Sequence, residues 1–153
     1  MEYTTEQLDE FNIIGLKVRT TNENNQAGMD ISNLWNRIFK EGIIDKIPDK
    51  SGEEMYSVYF DYEGDYTQPY SYIVGCKVES LADIPDGMDS VVIKSGNYAH
   101  LVAKGKMPDC IVEMWQNIWK SDLDRAYRTD FEVYGPKSQD VENAEVDVYL
   151  SVM

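Results

Sequence analysis

Two segments of the chain place their apolar residues on a single helical stripe. Ile31, Leu34, Trp35, Ile38 and Phe39 fall at i, i+3, i+4, i+7 and i+8, and Ile111, Met114, Trp115, Ile118 and Trp119 repeat that spacing at a constant offset of 80 residues. Each set predicts an amphipathic helix with one face turned to a core. Asp30 and Asp109 stand where N-caps are expected, Pro108 precedes the second helix, and Gly42 is a natural stop for the first. Before the first helix, Phe11 to Val18 reads as a strand; before the second, Ser90 to Lys94 and Tyr98 to Val102 do. Met55 to Tyr62 and Tyr70 to Val78 follow the first helix, and Asp130 to Tyr134 and Glu145 to Val152 follow the second, all with the composition of β-strands.

Each half therefore reads as strand, helix and two further strands, over about residues 10–80 and 90–153 of a single 153-residue domain. Glu63-Gly64-Asp65 and Gln68-Pro69 mark a turn in the first half, and Gly135-Pro136 opens a loop in the second. The expected architecture is α+β, with duplicated βαββ units sharing one antiparallel sheet and both helices packed on one face.

Composition narrows the function classes. The hydrophobic fraction of 42% and aromatic fraction of 12% are globular values. No apolar stretch approaches the roughly 20 residues that span a bilayer. The first residues show no basic segment leading into an apolar run, so a cytoplasmic protein is expected. Cys76 and Cys110 form no Cys-x-x-Cys pair and read as buried free thiols. Fourteen Lys and Arg against 28 Asp and Glu give a net charge of -14. Nucleic-acid binding needs clustered basic residues that displace counterions, and no basic run occurs. Duplex DNA at physiological salt should show no mobility shift; a shift that weakens with added salt would contradict this.

Strand alternation places the candidate chemistry. In β-strands, residues two apart share a face. If Phe131 and Val148 face the helices, Glu132, Tyr134, Asp147 and Tyr149 share the opposite face of neighbouring strands. Tyr59 and Tyr72 belong to a cluster of six tyrosines between positions 56 and 72. Tyrosine rings beside carboxylates suit an organic cation, since the π-face attracts it and the carboxylate neutralises it. The same alternation also fits a solvated strand face. His100 is the only histidine, so no multi-histidine metal site exists, and it reads as structural. Asp83, Asp86 and Asp89 lack calcium-loop spacing, and Ala103-Lys104-Gly105-Lys106 lacks the phosphate-loop pattern. Trp35, Trp115 and Trp119 lie on the helix stripes and read as packing residues. No catalytic residue, metal or cofactor is expected.

The run from Ile111 to Trp119, then Thr129-Asp130-Phe131-Glu132-Val133-Tyr134, then Glu145-Val146-Asp147-Val148-Tyr149, resembles the gyrase-inhibitor-like (GyrI-like) domain. This is also the effector-binding domain of AraC-type transcription activators. The resemblance covers essentially the whole chain. It implies pseudo-twofold symmetry and a ligand cleft on the sheet face opposite the helices. It also implies an acid in a Glu-x-Tyr strand facing cationic, lipophilic aromatic ligands, a position that Glu132 and Tyr134 match. The family's last strand commonly reads Glu-x-Tyr-x-Pro; here Asp147 and Tyr149 match, with a shorter acid and with Ser151 in place of Pro.

The function expected is a stand-alone module for small organic cations or other lipophilic ligands, an effector sensor or multidrug-binding protein. The residues before Phe11 are too few for a helix-turn-helix, so any role in transcription regulation would run without a DNA-binding domain of its own. Two alternatives come from other classes. One is a small-molecule hydrolase using Glu132 with a tyrosine to activate water. The other is an acidic inhibitor of a DNA topoisomerase, the case in which a protein partner is expected.

Overall fold

A computed structural model describes residues 2–153. Eight strands form one sheet in which every neighbouring pair is antiparallel. They are β1 (Thr4–Leu8), β2 (Phe11–Thr20), β3 (Met55–Phe60), β4 (Tyr70–Val78), β5 (Asp89–Ile93), β6 (Gly96–Gly105), β7 (Thr129–Tyr134) and β8 (Ala144–Ser151). The helices are α1 (Gln26–Lys40), a single turn α2 (Ile43–Lys46) and α3 (Asp109–Lys120). The α+β class and the antiparallel sheet are as expected. β1 and α2 are additions, and α1 begins upstream of Asp30. That residue is no cap: its Oδ2 accepts from Thr20 Oγ1 at 2.8 Å and Gln26 Nε2 at 3.2 Å from within the helix. Asp109 opens α3, with Pro108 in the cap position.

Gly42 ends α1 as expected, in a left-handed conformation with φ +61 and open space where a Cβ would stand. Replacing it therefore meets no steric clash, only the conformational cost of a left-handed L-residue. Gly42→Ala should cost about 1 kcal/mol, or roughly 2–4 °C in melting temperature for a chain of this size. Thermal denaturation checks this; an unchanged midpoint would show that the turn can relax.

The strand order β1-β6-β8-β7-β3-β4-β2-β5 sets β3 and β7 side by side at the middle. Two short connections then shape the sheet. Only Asp9 and Glu10 join β1 to β2, and only Lys94 and Ser95 join β5 to β6. Each links opposite ends of the sheet, yet three Cα–Cα steps reach at most about 11 Å. The sheet must therefore curl until its ends approach. The curl encloses a core of Ile13, Val58, Ile73, Ile93, Tyr98 and Phe131, every one of them at most 2% exposed. This core fills the face away from the helices.

On the other face, α1 lays Leu34 and Ile38 over Ile14, Leu16, Tyr72 and Val74 of β2 and β4. α3 lays Ile111 and Ile118 over Ala99, Leu101, Val146 and Val148 of β6 and β8. Both helices lie on one face, as the stripes predict, but they stand apart. Neither is packed over β3 and β7. Cys76 and Cys110 are buried free thiols, and among the described residues no helix is long and apolar enough to cross a membrane.

Candidate functional site

The gap between α1 and α3 is a cavity of about 1320 Å³, floored by β3, β4 and β7. The cleft therefore lies on the helix face. The expectation of a cleft on the opposite face is corrected, for a physical reason: the curl has already packed that face with aliphatic and aromatic side chains.

Register explains which side chains reach the cleft. Glu132 of β7 pairs with Ser57 of β3 and Val148 of β8, and directly paired residues share a face. Val148 lies under α3, so Glu132 faces the helices. Asp130 and Tyr134 flank it two residues away on the same side. Tyr59 of β3 pairs with both Asp130 and Tyr72, bringing Tyr59 and Tyr72 onto the same floor.

Phe131 and Val133 point the other way. So do Tyr149 and Asp147, their partners on β8. Phe131 stacks on Tyr149 with centroids 4.8 Å apart. The expectation that all four acid and tyrosine residues share one face is thus corrected. Glu132 and Tyr134 enter the cleft, whereas Asp147 and Tyr149 lie behind the sheet. There Asp147 Oδ1 lies 2.9 Å from His100 Nε2, Glu6 Oε2 lies 2.6 Å from His100 Nδ1, and Tyr149 stacks on the imidazole at 4.4 Å. This cluster ties β1, β6 and β8 together. Burial, with Glu6 and Asp147 nearby, raises the Tyr149 phenol to about 12.

Glu132 is 2% exposed. Its Oε1 accepts from Tyr134 Oη at 2.6 Å, and its Oε2 accepts from Tyr59 Oη at 3.0 Å and from the indole Nε1 of Trp115. None of the ion pairs among the described residues includes it. Burial raises its carboxyl above the ordinary glutamate range, while the Tyr134, Trp115 and Tyr59 donors pull it back. Burial and the charge of Glu132 together push the Tyr59 and Tyr134 phenols well up, so both remain donors. Tyr72 bonds Ser57 and accepts from Trp35 Nε1 at 2.9 Å.

Trp35 and Trp115 pack against the cores beneath their helices, as the stripes suggest, and also stand half-buried as walls of the cleft. Tyr59 lies 4.8 Å from Trp115 and 4.9 Å from Tyr72, centroid to centroid. At one end Tyr66, on the β3–β4 loop, stacks on Trp119 at 5.5 Å with rings 9° from parallel. That loop is pinned to the chain before α1, where Asn22 donates to the Tyr66 carbonyl at 2.8 Å and accepts from Tyr70 Oη at 2.7 Å.

Sequence reasoning missed a second buried acid. Asp130 is 0% exposed; its Oδ2 accepts from Arg125 Nη2 at 2.7 Å and Tyr62 Oη at 2.6 Å. The signal was available, since Asp130 stands two residues from Glu132 on one strand. Nothing in the local sequence pairs it with Arg125. The cleft can thus desolvate a flat apolar body and present one uncompensated carboxylate to it. Among the described residues no metal-ligating cluster is present.

No protein of curated function matches the chain at a significant level. An integron cassette protein from the mobile metagenome of Vibrio cholerae is 29% identical, with a TM-score of 0.77 over 99% of this chain and 95% of its own. SAV2435 bound to tetraphenylphosphonium is 22% identical, with a TM-score of 0.82 over 100% and 94%. A transcription regulation protein of Staphylococcus aureus MU50 is 20% identical, with a TM-score of 0.77 over 98% and 97%. The last two show the fold alone, and it is the GyrI-like fold expected from the sequence. The family model of Cass2, the integron-associated effector binding protein, matches residues 4–152, and the chain belongs to that family.

Proposed function

We propose that the cleft binds small organic cations carrying flat apolar groups, and that the protein senses or sequesters them. One observation carries this reading: Glu132 is buried beneath an aromatic cleft, fully hydrogen-bonded, with no basic side chain against it. A desolvated cation needs a counter-charge, since an unpaired buried ion is destabilised by several kcal/mol. Each ring facing the cation adds about 0.5–2 kcal/mol. Membership in an effector-binding family supports the reading. So does the cation in SAV2435, whose four phenyl groups surround one positive centre.

Titration calorimetry with tetraphenylphosphonium tests the proposal, with a Kd near the micromolar range expected, about -8 kcal/mol. Triphenylmethane, which has neither charge nor hydrogen-bond acceptor, is the neutral control and should bind at least tenfold more weakly. Equal binding of the two would refute a cation site.

The strand order supports a second part of the reading. Raising each strand number from β1 to β4 by four turns the sheet order into its own reverse, the relation that two copies of one unit about a twofold axis would give. On this reading the cleft is the seam between two copies, and Trp35 and Trp115 are its equivalent walls.

A further inference from the structure

Between α3 and β7 the chain runs Ser121 to Arg128, and a bridge to Val152 beside β8 holds Arg125 in place. The Arg125 side chain is 4% exposed. A guanidinium has five N–H donors in a rigid plane. Here Nη2 donates to Asp130 at 2.7 Å, while Nε and Nη1 are buried without a partner. Native proteins rarely leave such donors unpaired. Arg125 also lines the cleft. Its Cζ lies 4.3 Å from the Tyr127 ring centroid and 5.9 Å from that of Trp115. Trp115 in turn donates to Glu132. The orphaned donors and the uncompensated carboxylate thus flank one indole.

We infer that Arg125 is a second recognition point, and that the ligand is a monocation with a neutral hydrogen-bond-accepting oxygen, a carbonyl or ether, about an indole's width from its positive centre. This rests on the cation reading of Glu132. Neutrality follows from charge: Asp130 already balances Arg125, so the three groups sum to one negative charge when Glu132 is ionised. A monocation balances that sum, and a ligand carboxylate would undo the balance.

The test compares two probes differing only in C=O for CH₂, 4-benzoyl-N,N,N-trimethylanilinium and 4-benzyl-N,N,N-trimethylanilinium, by calorimetry. The ketone should bind about tenfold tighter, the scale of one charge-assisted hydrogen bond. A third probe, 4-(4-carboxybenzyl)-N,N,N-trimethylanilinium, should bind more weakly than the ketone; tighter binding would overturn the neutral acceptor. Arg125→Lys keeps a charge for Asp130 but loses the planar row of donors. It should bring the ketone advantage, read as the ratio of the two probes' affinities within the variant, below about twofold.

A wild-type ratio below about twofold overturns the inference, because the donors are then satisfied by water. A tenfold ratio that survives Arg125→Lys overturns the assignment to Arg125. If that variant does not fold, Arg125→Gln with Asp130→Asn removes both charges and takes its place. The cation reading fails separately: neither probe then binds below 1 mM, or both bind as well to Glu132→Gln, and the inference falls with it.

Discussion

Glu132→Gln should weaken tetraphenylphosphonium binding by about ten- to a hundredfold, the scale of a lost charged interaction, roughly 1.5–3 kcal/mol. The amide fits the same space. Its oxygen can accept from Trp115 and Tyr59, and Tyr134 Oη can turn to accept from its NH₂. The loss therefore reports charge and not a collapsed site. Tyr134→Phe keeps the ring and should cost far less. Stability should move the other way. The folded carboxyl is raised above its ordinary 4.5, so the unfolded chain releases this proton first as pH rises. Below the ordinary value both states are protonated and the group is neutral in its effect. Above it the folded state loses stability until the raised folded value is passed. At pH 7 the ligand-free variant should melt above wild type. Wild-type cation affinity should also decline on acidification through the raised value, while the variant's stays flat. Equal affinity in the two proteins would place the cation elsewhere.

Much of the fold is legible because the pattern carries period. Tyr70 to Val78 is a β-rich run buried on both faces between β3 and β2, and its predicted limits match β4. The helical stripes give both long helices and their common face. β1 escapes notice because Thr4-Thr5-Glu6-Gln7-Leu8 is polar on both sides; an edge strand paired only to β6 needs no buried face. α1 starts early because Asn25 adopts a left-handed conformation without a side-chain cap, a start that no cap signal announces.

The site was half legible. Alternation gives two faces but not which one meets the helices. Alternation alone puts Glu132 and Tyr134 on one side, and Tyr59 and Tyr72 share that floor. Taking Phe131 and Val148 to point the same way puts Asp147 and Tyr149 with them. Phe131 and Val148 cannot do so, since Glu132 and not Phe131 pairs with Val148. That register depends on long-range pairing. The burial of the far face likewise depends on curl, which the two-residue connections enforce only once strand order is known. Charged residues look out of place beneath helices until the helices are seen to part over β3 and β7.

Asp130→Ala should have the largest effect on stability, although the residue stands only two positions from Glu132 on the same face. Its Oδ2 holds Arg125 and Tyr62, and its Oδ1 accepts from the Ser151 backbone at 2.8 Å and the Ser151 hydroxyl at 3.1 Å. One carboxylate thus fastens β7, the end of β8, the β3–β4 loop and the chain after α3. Removing it leaves the buried guanidinium uncompensated, a loss of about 3–5 kcal/mol. For a chain of this size that is roughly 6–20 °C in melting temperature. Arg125→Met strands Asp130 in the same way and should also destabilise. The double variant should lose less than the sum of the singles, because neither charge is then left alone. Strictly additive losses would mean that the pair contributes nothing as a pair. The contrast with Glu132 is the physical point. Two buried carboxylates share one strand face, and the one with an arginine stabilises the fold. On the proposed reading, the one without an arginine weakens the empty protein and would be relieved by a cation in the cleft, so substitutions at the two positions should shift the melting temperature in opposite directions.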